Sequence, residues 1–168
     1  DTKQGVIETA EKIISLRPNA VRIYPLLVIK DTTLERLYRS GDFTPLTLDE
    51  AIDISAELMK IFKNADIPVI KLGLHASEDF NKHNSLVAGP YHPAFRELVE
   101  GKLFLEEIER NIISRNINEN LTIKCNTKDI SKIRGHKNSN SNYITKKYNL
   151  KINFIYDNSI EKGNIIIL

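Results

Sequence analysis

Two β-rich apolar runs, each interrupted by a cation, dominate the hydrophobic pattern of the chain. The first is VRIYPLLVIKDT, residues 21–32, and the second is IPVIKLGLHAS, residues 67–77. Runs of this kind favour strands that are buried on both faces, as in a parallel sheet. Arg22 and Lys71 interrupt them, and a buried charge without a partner is strongly unfavourable. We therefore expect both strands to belong to a parallel α/β sheet that lines a polar pocket.

The segments before and after these strands have features that predict helices. Apolar residues recur at helical spacing between residues 6 and 16, which predicts a first helix. The pairs Thr32–Glu35 and Thr47–Glu50 are capping boxes that open two further helices. Residues 77–93 form a polar loop that contains Gly and Pro, and a long helix is predicted from Ala94. The alternation of helices and strands indicates βα units and an α/β fold class.

The pattern changes beyond residue 116 to that of a smaller unit. The sequence predicts three strands, LTIKCN, LKINFIYD and GNIIIL. Between the first two, KDISKIRGHKNSNSNYITKKY is predicted as a broken helix or two short helices. This order describes a small β-α-β-β unit of the α+β class. We predict two domains, residues 1–115 and residues 116–168.

Composition and charge narrow the class of protein. No apolar run approaches the roughly 20 residues of a membrane helix, and a cytoplasmic location is the default expectation. The only cysteine, Cys125, excludes a disulfide framework and a thiolate metal set within this chain, and it is expected to be a small core residue. Residues 116–168 contain nine Lys and Arg against four Asp and Glu, whereas residues 1–115 contain 15 against 18. The basic C-terminal piece points to an anionic partner such as RNA, or to an ordinary solvated face.

Candidate binding residues follow from the alternation of side chains along the two strands. Arg22 and Tyr24 share a face of the first strand, and Lys71, Gly73 and His75 share a face of the second. A hollow lined by cations, a glycine and a histidine suits an anionic or polar ligand at the carboxyl ends of the strands. The alternative is that the two cations pair with carboxylates outside this chain. The opposite, apolar faces are expected to pack on the helices; their members are Val21 and Ile23, and Ile70, Leu72 and Leu74.

The most distinctive local sequence is AGPYHPAFRELVEG, residues 88–101. His92 lies at the entrance of the predicted helix, and Arg96 and Glu97 follow on its first turns. His92 and Arg96 are four residues apart and can share one helix face. The segment is interpreted either as a closure over the pocket or as an ordinary helix cap with a surface ion pair.

Three segments together resemble a known family. They are VRIYPLLVIKDTTLERLYRSGDFTPLTLDEAI, VIKLGLHAS and AGPYHPAFRELVEG, and in this order they resemble the C-terminal half of radical S-adenosylmethionine (SAM) proteins. The subgroup is the one related to the catalytic subunit of Elongator, which includes uncharacterised bacterial members. The resemblance implies the C-terminal part of a partial (β/α) barrel over residues 1–115, and KDISKIRGHKNSN resembles the subgroup's small C-terminal domain.

The resemblance also implies cofactors and residue roles. The full-length parent would use SAM and a four-iron four-sulfur cluster. Its barrel wall would include Arg22, Tyr24, Lys71, Gly73 and His75 on the cofactor side. His92, Arg96 and Glu97 would be substrate-side residues, because HPAFREL resembles a His-x-x-x-Arg-Glu-Leu segment of Elongator relatives.

The chain departs from the family at one decisive point. The CxxxCxxC motif that holds the cluster is absent, so this chain alone is expected to bind no cofactor or metal and to be inactive. No catalytic residue is indicated. The expected partners are the missing N-terminal half of the barrel upstream of Asp1, a second copy of the chain across open sheet edges, and RNA at the basic C-terminal domain. The alternative function is a non-catalytic module that binds RNA or a partner.

Overall fold

The structure is a computed structural model that describes residues 2–74 and 85–168. Its helices are α1 (Lys3–Ser15), α2 (Thr33–Ser40), α3 (Leu48–Asn64), α4 (Phe95–Arg115), α5 (Ile130–Arg134) and α6 (Ser139–Tyr148). Its strands are β1 (Val21–Ile23), β2 (Val28–Ile29), β3 (Val69–Leu72), β4 (Leu86–Ala88), β5 (Asn120–Cys125), β6 (Lys151–Tyr156) and β7 (Ile165–Ile167). The chain divides into two compact units, residues 1–99 and residues 100–168.

Local capping chemistry sets the starts of α2 and α3: the predicted Thr47–Glu50 capping box is complete, whereas the Glu35 carboxylate accepts from the Asp31 N–H instead of from Thr32. The Thr47 side chain accepts a hydrogen bond from the Glu50 backbone N–H. In turn, the Glu50 carboxylate accepts a hydrogen bond of 2.8 Å from the Thr47 backbone N–H. Thr32 caps α2 by accepting from the Glu35 N–H, and Gly41 ends that helix in the left-handed conformation. The apolar faces of α1 and α3 then pack together around a small core, which consists of Ala10, Leu58, Phe62 and Ile67.

The first apolar run forms two short strands in different sheets, so its prediction as one strand is wrong. β1 pairs in parallel with β3, whereas β2 pairs antiparallel with β4. Pro25 lies between β1 and β2, and proline has no backbone N–H to donate to a sheet. β4 lies within the predicted 77–93 loop, because its three apolar residues are too few to show the alternation that predicts a strand.

The second unit is a three-stranded sheet covered by helices, with β5 in the centre. β6 lies parallel to β5 on one side and β7 antiparallel on the other. Helices α5 and α6 connect β5 to β6, which confirms the predicted β-α-β-β order. A Cβ added at Gly101 of α4 would lie 3.0 Å from the Lys132 carbonyl oxygen, so α4 and α5 approach closely there. The core of this unit consists of Phe104, Ile108, Ile112, Leu121, Ile123, Cys125, Ile133, Ile144, Leu150 and Ile167.

Helices and small sheets occur together in both units, which confirms the predicted α/β class. The strands that the structure describes form open sheets of two or three strands. Within the described ranges, no helix combines the length and the apolar character that crossing a bilayer requires.

Candidate functional site

Arg22 and Lys71 lie opposite one another in the parallel pair of β1 and β3. They are register partners, and both side chains are exposed. No ion pair or side-chain hydrogen bond joins either cation to another residue in the described part of the chain. The expectation that both strands are buried on both faces is therefore wrong. The α1–α3 core contacts Val21, Ile23 and Val69 on one face of this two-stranded sheet. Helices therefore cover only that face.

An irregularity in the register explains why the cations meet. Val21 pairs with Val69, but the next residue, Arg22, pairs with Lys71, so Ile70 is an extra residue in β3. Such a bulge interrupts the strict alternation of side chains. Ile70 is consequently 57% exposed, and its predicted place on the helix-facing side is wrong. The bulge is also what brings Lys71 level with Arg22.

Gly73 ends β3 where the chain passes close to α4. Its φ angle is +73°, and its N–H donates a hydrogen bond of 2.9 Å to the carbonyl of Ile23. An added Cβ would lie 2.8 Å from Cδ1 of Phe95, which is almost fully buried. Glycine is therefore required here both by the backbone conformation and by the space.

The predicted substrate-side residues surround the start of α4. The His92 Nδ1 accepts a hydrogen bond of 3.0 Å from the Ala94 N–H, and the His92 carbonyl accepts one from the Phe95 N–H. Arg96 reaches back to β3, where its guanidinium donates to the Val69 carbonyl at 3.2 Å. Glu97 is exposed in the first helical turn, where a negative charge stabilises the helix dipole.

The contact between Arg96 and Val69 was not predicted from the sequence. Just before β3 the Pro68 carbonyl accepts from the Val21 N–H, so the next carbonyl, that of Val69, points to the opposite edge of the strand. Arg96 satisfies that carbonyl and covers part of this edge. The bulge that accompanies it has no signal in the sequence.

Tyr24 and His75 complete the predicted set. Tyr24 follows β1 directly and is 46% exposed. His75 lies outside the described residues, as do residues 77–84 of the predicted 77–93 loop and Asp1. The structure thus brings Arg22 and Lys71 together, while Gly73 and Arg96 bind the end of β3 to α4.

The described residues do not fit an iron–sulfur cluster. No group of three His, Cys, Asp or Glu residues in the ranges 2–74 and 85–168 could hold a metal ion. Cys125 is fully buried in β5, as expected for a core residue, and burial raises the pKa of its thiol. A single buried thiol cannot replace the three thiolates that such a cluster needs.

Comparison with known proteins identifies a family for this chain. The family model described as the radical SAM C-terminal domain matches residues 18–104, just over half of the chain. The matched range includes β1, β3 and the first half of α4. No curated protein matches the chain, and no solved structure does.

Proposed function

Since the chain belongs to the family of radical SAM C-terminal domains, we propose that it forms the C-terminal wall of a radical SAM enzyme. The family match over residues 18–104 carries this proposal, because it covers the strand pair and the start of α4. The parent enzyme would supply SAM and the four-iron four-sulfur cluster. The cluster thiolates would come from outside these 168 residues, since the chain has one cysteine.

The edge of β1 supports the place of this chain within a larger barrel. In the part of the chain that the structure describes, β1 has β3 as its one neighbour and its other edge carries no strand. The outer edge of β3 differs, because Arg96 donates to its Val69 carbonyl. An unpaired edge accepts a further strand readily. We infer that the N-terminal half of the barrel adds at β1, and that a second copy of the chain can occupy this edge when that half is missing.

The exposed pair of Arg22 and Lys71 supports an anionic group as the neighbour of this wall. Adjacent strands are about 4.8 Å apart, so the two like charges repel each other. An anion that lies between or above them would offset this repulsion. The carboxylate of SAM and the phosphate of a substrate both fit that requirement. Tyr24, Gly73 and His75 would complete the cofactor side of the wall.

The finer assignment is to the subgroup related to the Elongator catalytic subunit, with RNA as the substrate of the radical. The HPAFREL segment supports it, and His92, Arg96 and Glu97 would order the substrate-side segment. In this assignment Arg96 is a positioning residue, because it contacts the β3 backbone. The parent would work in the cytoplasm.

The second candidate function is a cluster-free module that binds RNA or a partner. The basic stretch of the second unit favours it, since residues 130–151 contain six Lys and Arg and no Asp or Glu. This candidate needs no SAM chemistry, so one assay separates the two.

The test is SAM cleavage by the parent protein, reconstituted anaerobically with iron and sulfide. We expect release of 5′-deoxyadenosine, and we expect the double variant Arg22→Ala/Lys71→Ala to weaken SAM or substrate binding at least tenfold. The matched control is Lys12→Ala, which removes an exposed cation from α1. Absence of cleavage by the wild-type parent would overturn the proposal. If Lys12→Ala weakened SAM or substrate binding as much as Arg22→Ala/Lys71→Ala, the pair would have no specific role in binding.

A further inference from the structure

The loop between α5 and α6 is a feature that the proposed barrel wall does not explain. It consists of Gly135, His136, Lys137 and Asn138, which we name the GHKN loop; its last three residues form a single 3-10 turn, in which Lys137 departs from helical geometry. The two helices that it joins connect the parallel strands β5 and β6. All of its residues after Gly135 are exposed. The unit therefore presents a short basic loop between two helices of a β-α-α-β arrangement.

The backbone of the GHKN loop fits the pattern Gly-x-x-Gly with one replacement. Gly135 has φ +78°, and an added Cβ would lie 2.5 Å from the Ser139 Oγ, so only glycine fits there. Asn138 occupies the fourth position with φ +61°. Asparagine is among the few residues that adopt this conformation readily, so it can stand where the pattern has its second glycine. KH domains use a Gly-x-x-Gly loop between two helices to clamp the backbone of a nucleic acid strand.

The charge around the loop is positive and is only partly neutralised. Lys132 pairs with Glu100 and Asp129, and Lys147 pairs with Glu109. Lys137, by contrast, has no ion pair within the residues that the structure describes. An exposed and unneutralised cation on a loop of this shape is suited to a phosphate group.

A guanidinium and two aromatic rings form a cluster next to the loop. Arg134 immediately precedes Gly135, and its guanidinium lies 4.9 Å from the centroid of the Phe154 ring in β6. Its Nη2 donates to the Tyr156 hydroxyl at 3.4 Å. Tyr156 is 54% exposed at the end of β6. Aromatic rings and guanidinium planes beside a basic track are the elements on which single-stranded bases stack.

We propose that the second unit binds single-stranded nucleic acid in the manner of a KH domain. The GHKN loop holds the phosphates through Lys137 and its backbone, and the bases stack on Tyr156 beside Arg134. If the proposed function holds, the strand bound here is the RNA on which the parent acts, and to that extent this site rests on it. The binding itself needs neither SAM nor a cluster.

The test measures binding of the 168-residue chain to a labelled single strand of about 12 nucleotides by fluorescence anisotropy. The arms are RNA, DNA of the same sequence, and the RNA duplex. We expect the single strands to bind more tightly than the duplex. A preference for RNA over DNA would indicate that the site also contacts the 2′-hydroxyl. Equal binding would indicate that only phosphates and bases are recognised. Both results support the site.

Lys137→Asp is the principal variant, because it reverses a charge at an exposed position whose conformation aspartate tolerates. We expect it to weaken binding at least tenfold. The control Lys151→Asp makes the same charge change at the start of β6, about 17 Å along the strand from Tyr156, and should weaken binding less than threefold. Tyr156→Ala should weaken binding about tenfold while Tyr156→Phe retains it, with far-UV circular dichroism confirming that each variant is folded.

Three outcomes would overturn the site. They are absence of binding by the wild-type chain, tighter binding of the duplex, and equal losses in Lys137→Asp and Lys151→Asp. Failure of this site and failure of the proposed function are separable. A parent that cleaves SAM while the chain binds no single strand loses this site alone, and a chain that binds while the parent does not cleave loses the radical function alone.

Discussion

The guanidinium of Arg96 donates a hydrogen bond to the Val69 carbonyl, which belongs to a strand 27 residues earlier in the chain. The contact joins the first turn of α4 to the bulged strand β3, and it satisfies a carbonyl that no neighbouring strand in the described residues reaches. A charged donor on a partly buried carbonyl makes one of the stronger hydrogen bonds in a protein.

Arg96→Ala should lower the free energy of unfolding by about 2 kcal/mol, because it removes the charged donor and leaves the Val69 carbonyl unsatisfied. The measurement is urea denaturation of the 168-residue chain. Lys12→Ala serves as the control, and a change within ±0.5 kcal/mol is expected for this exposed helix position. Equal effects of the two substitutions would show that the contact contributes nothing to stability.

Gly73→Ala should lower the free energy of unfolding by about 3 kcal/mol. The left-handed backbone disfavours a Cβ, and this Cβ would also meet the Phe95 ring at 2.8 Å. Gly41→Ala isolates the first effect, because Gly41 has φ +85° but an added Cβ there has no neighbour within 4 Å. We expect about 1 kcal/mol for Gly41→Ala. Similar losses in the two variants, measured by the same denaturation, would contradict the close packing of Gly73 on Phe95.

Glu109 should make the stability of the second unit dependent on pH in the acid range. Burial raises the pKa of this carboxyl, but hydrogen bonds from Lys147, Tyr148 and Tyr143 outweigh it and hold the pKa below the usual value of 4.5. A carboxyl with a lowered pKa in the folded state stabilises the fold above pH 4.5, and this stabilisation is lost as the pH falls through the lowered pKa.

The measurement is the melting temperature between about pH 6 and pH 3. Glu109→Gln should lower the melting temperature at pH 6 and should reduce its fall below pH 4.5. The control is Glu119→Gln, which makes the same substitution at an exposed position of the same unit. A profile of Glu109→Gln parallel to that of the wild type would contradict the assignment.

Cys125 should resist thiol reagents until the second unit unfolds. Its side chain is fully buried in the central strand, and burial raises the pKa of the thiol, which disfavours the reactive thiolate. Because it is the only cysteine, its reaction with a chromogenic disulfide can be followed without interference. We expect fast modification in denaturant and a rate limited by unfolding in its absence. Rapid stoichiometric modification of the native chain would place the thiol at the surface.

The elements with complete local signals could be predicted from the sequence. The Thr47–Glu50 capping box predicted the start of α3, because this signal acts within a few residues. The order of elements in the second unit was also predicted correctly. Local patterns of this kind depend little on the rest of the fold.

The features that depend on distant partners could not be predicted. The burial expected of Arg22 and Lys71 was wrong because a strand face is buried only when a second layer covers it, and helices cover one face here. The bulge at Ile70 also has no local signature, since it exists only in the register between two strands. The cofactor and substrate roles of the candidate residues stay predictions.

Gly101 has no side chain, and this allows α4 and α5 to approach each other closely. A Cβ at this position would require the Lys132 carbonyl of α5 to shift by a few tenths of an ångström. Arg134 and the GHKN loop are the direct continuation of that helix, so they would move with it. One position in a long helix, remote in sequence from the loop, therefore fixes how closely α4 and α5 approach each other, and with them the place of the loop.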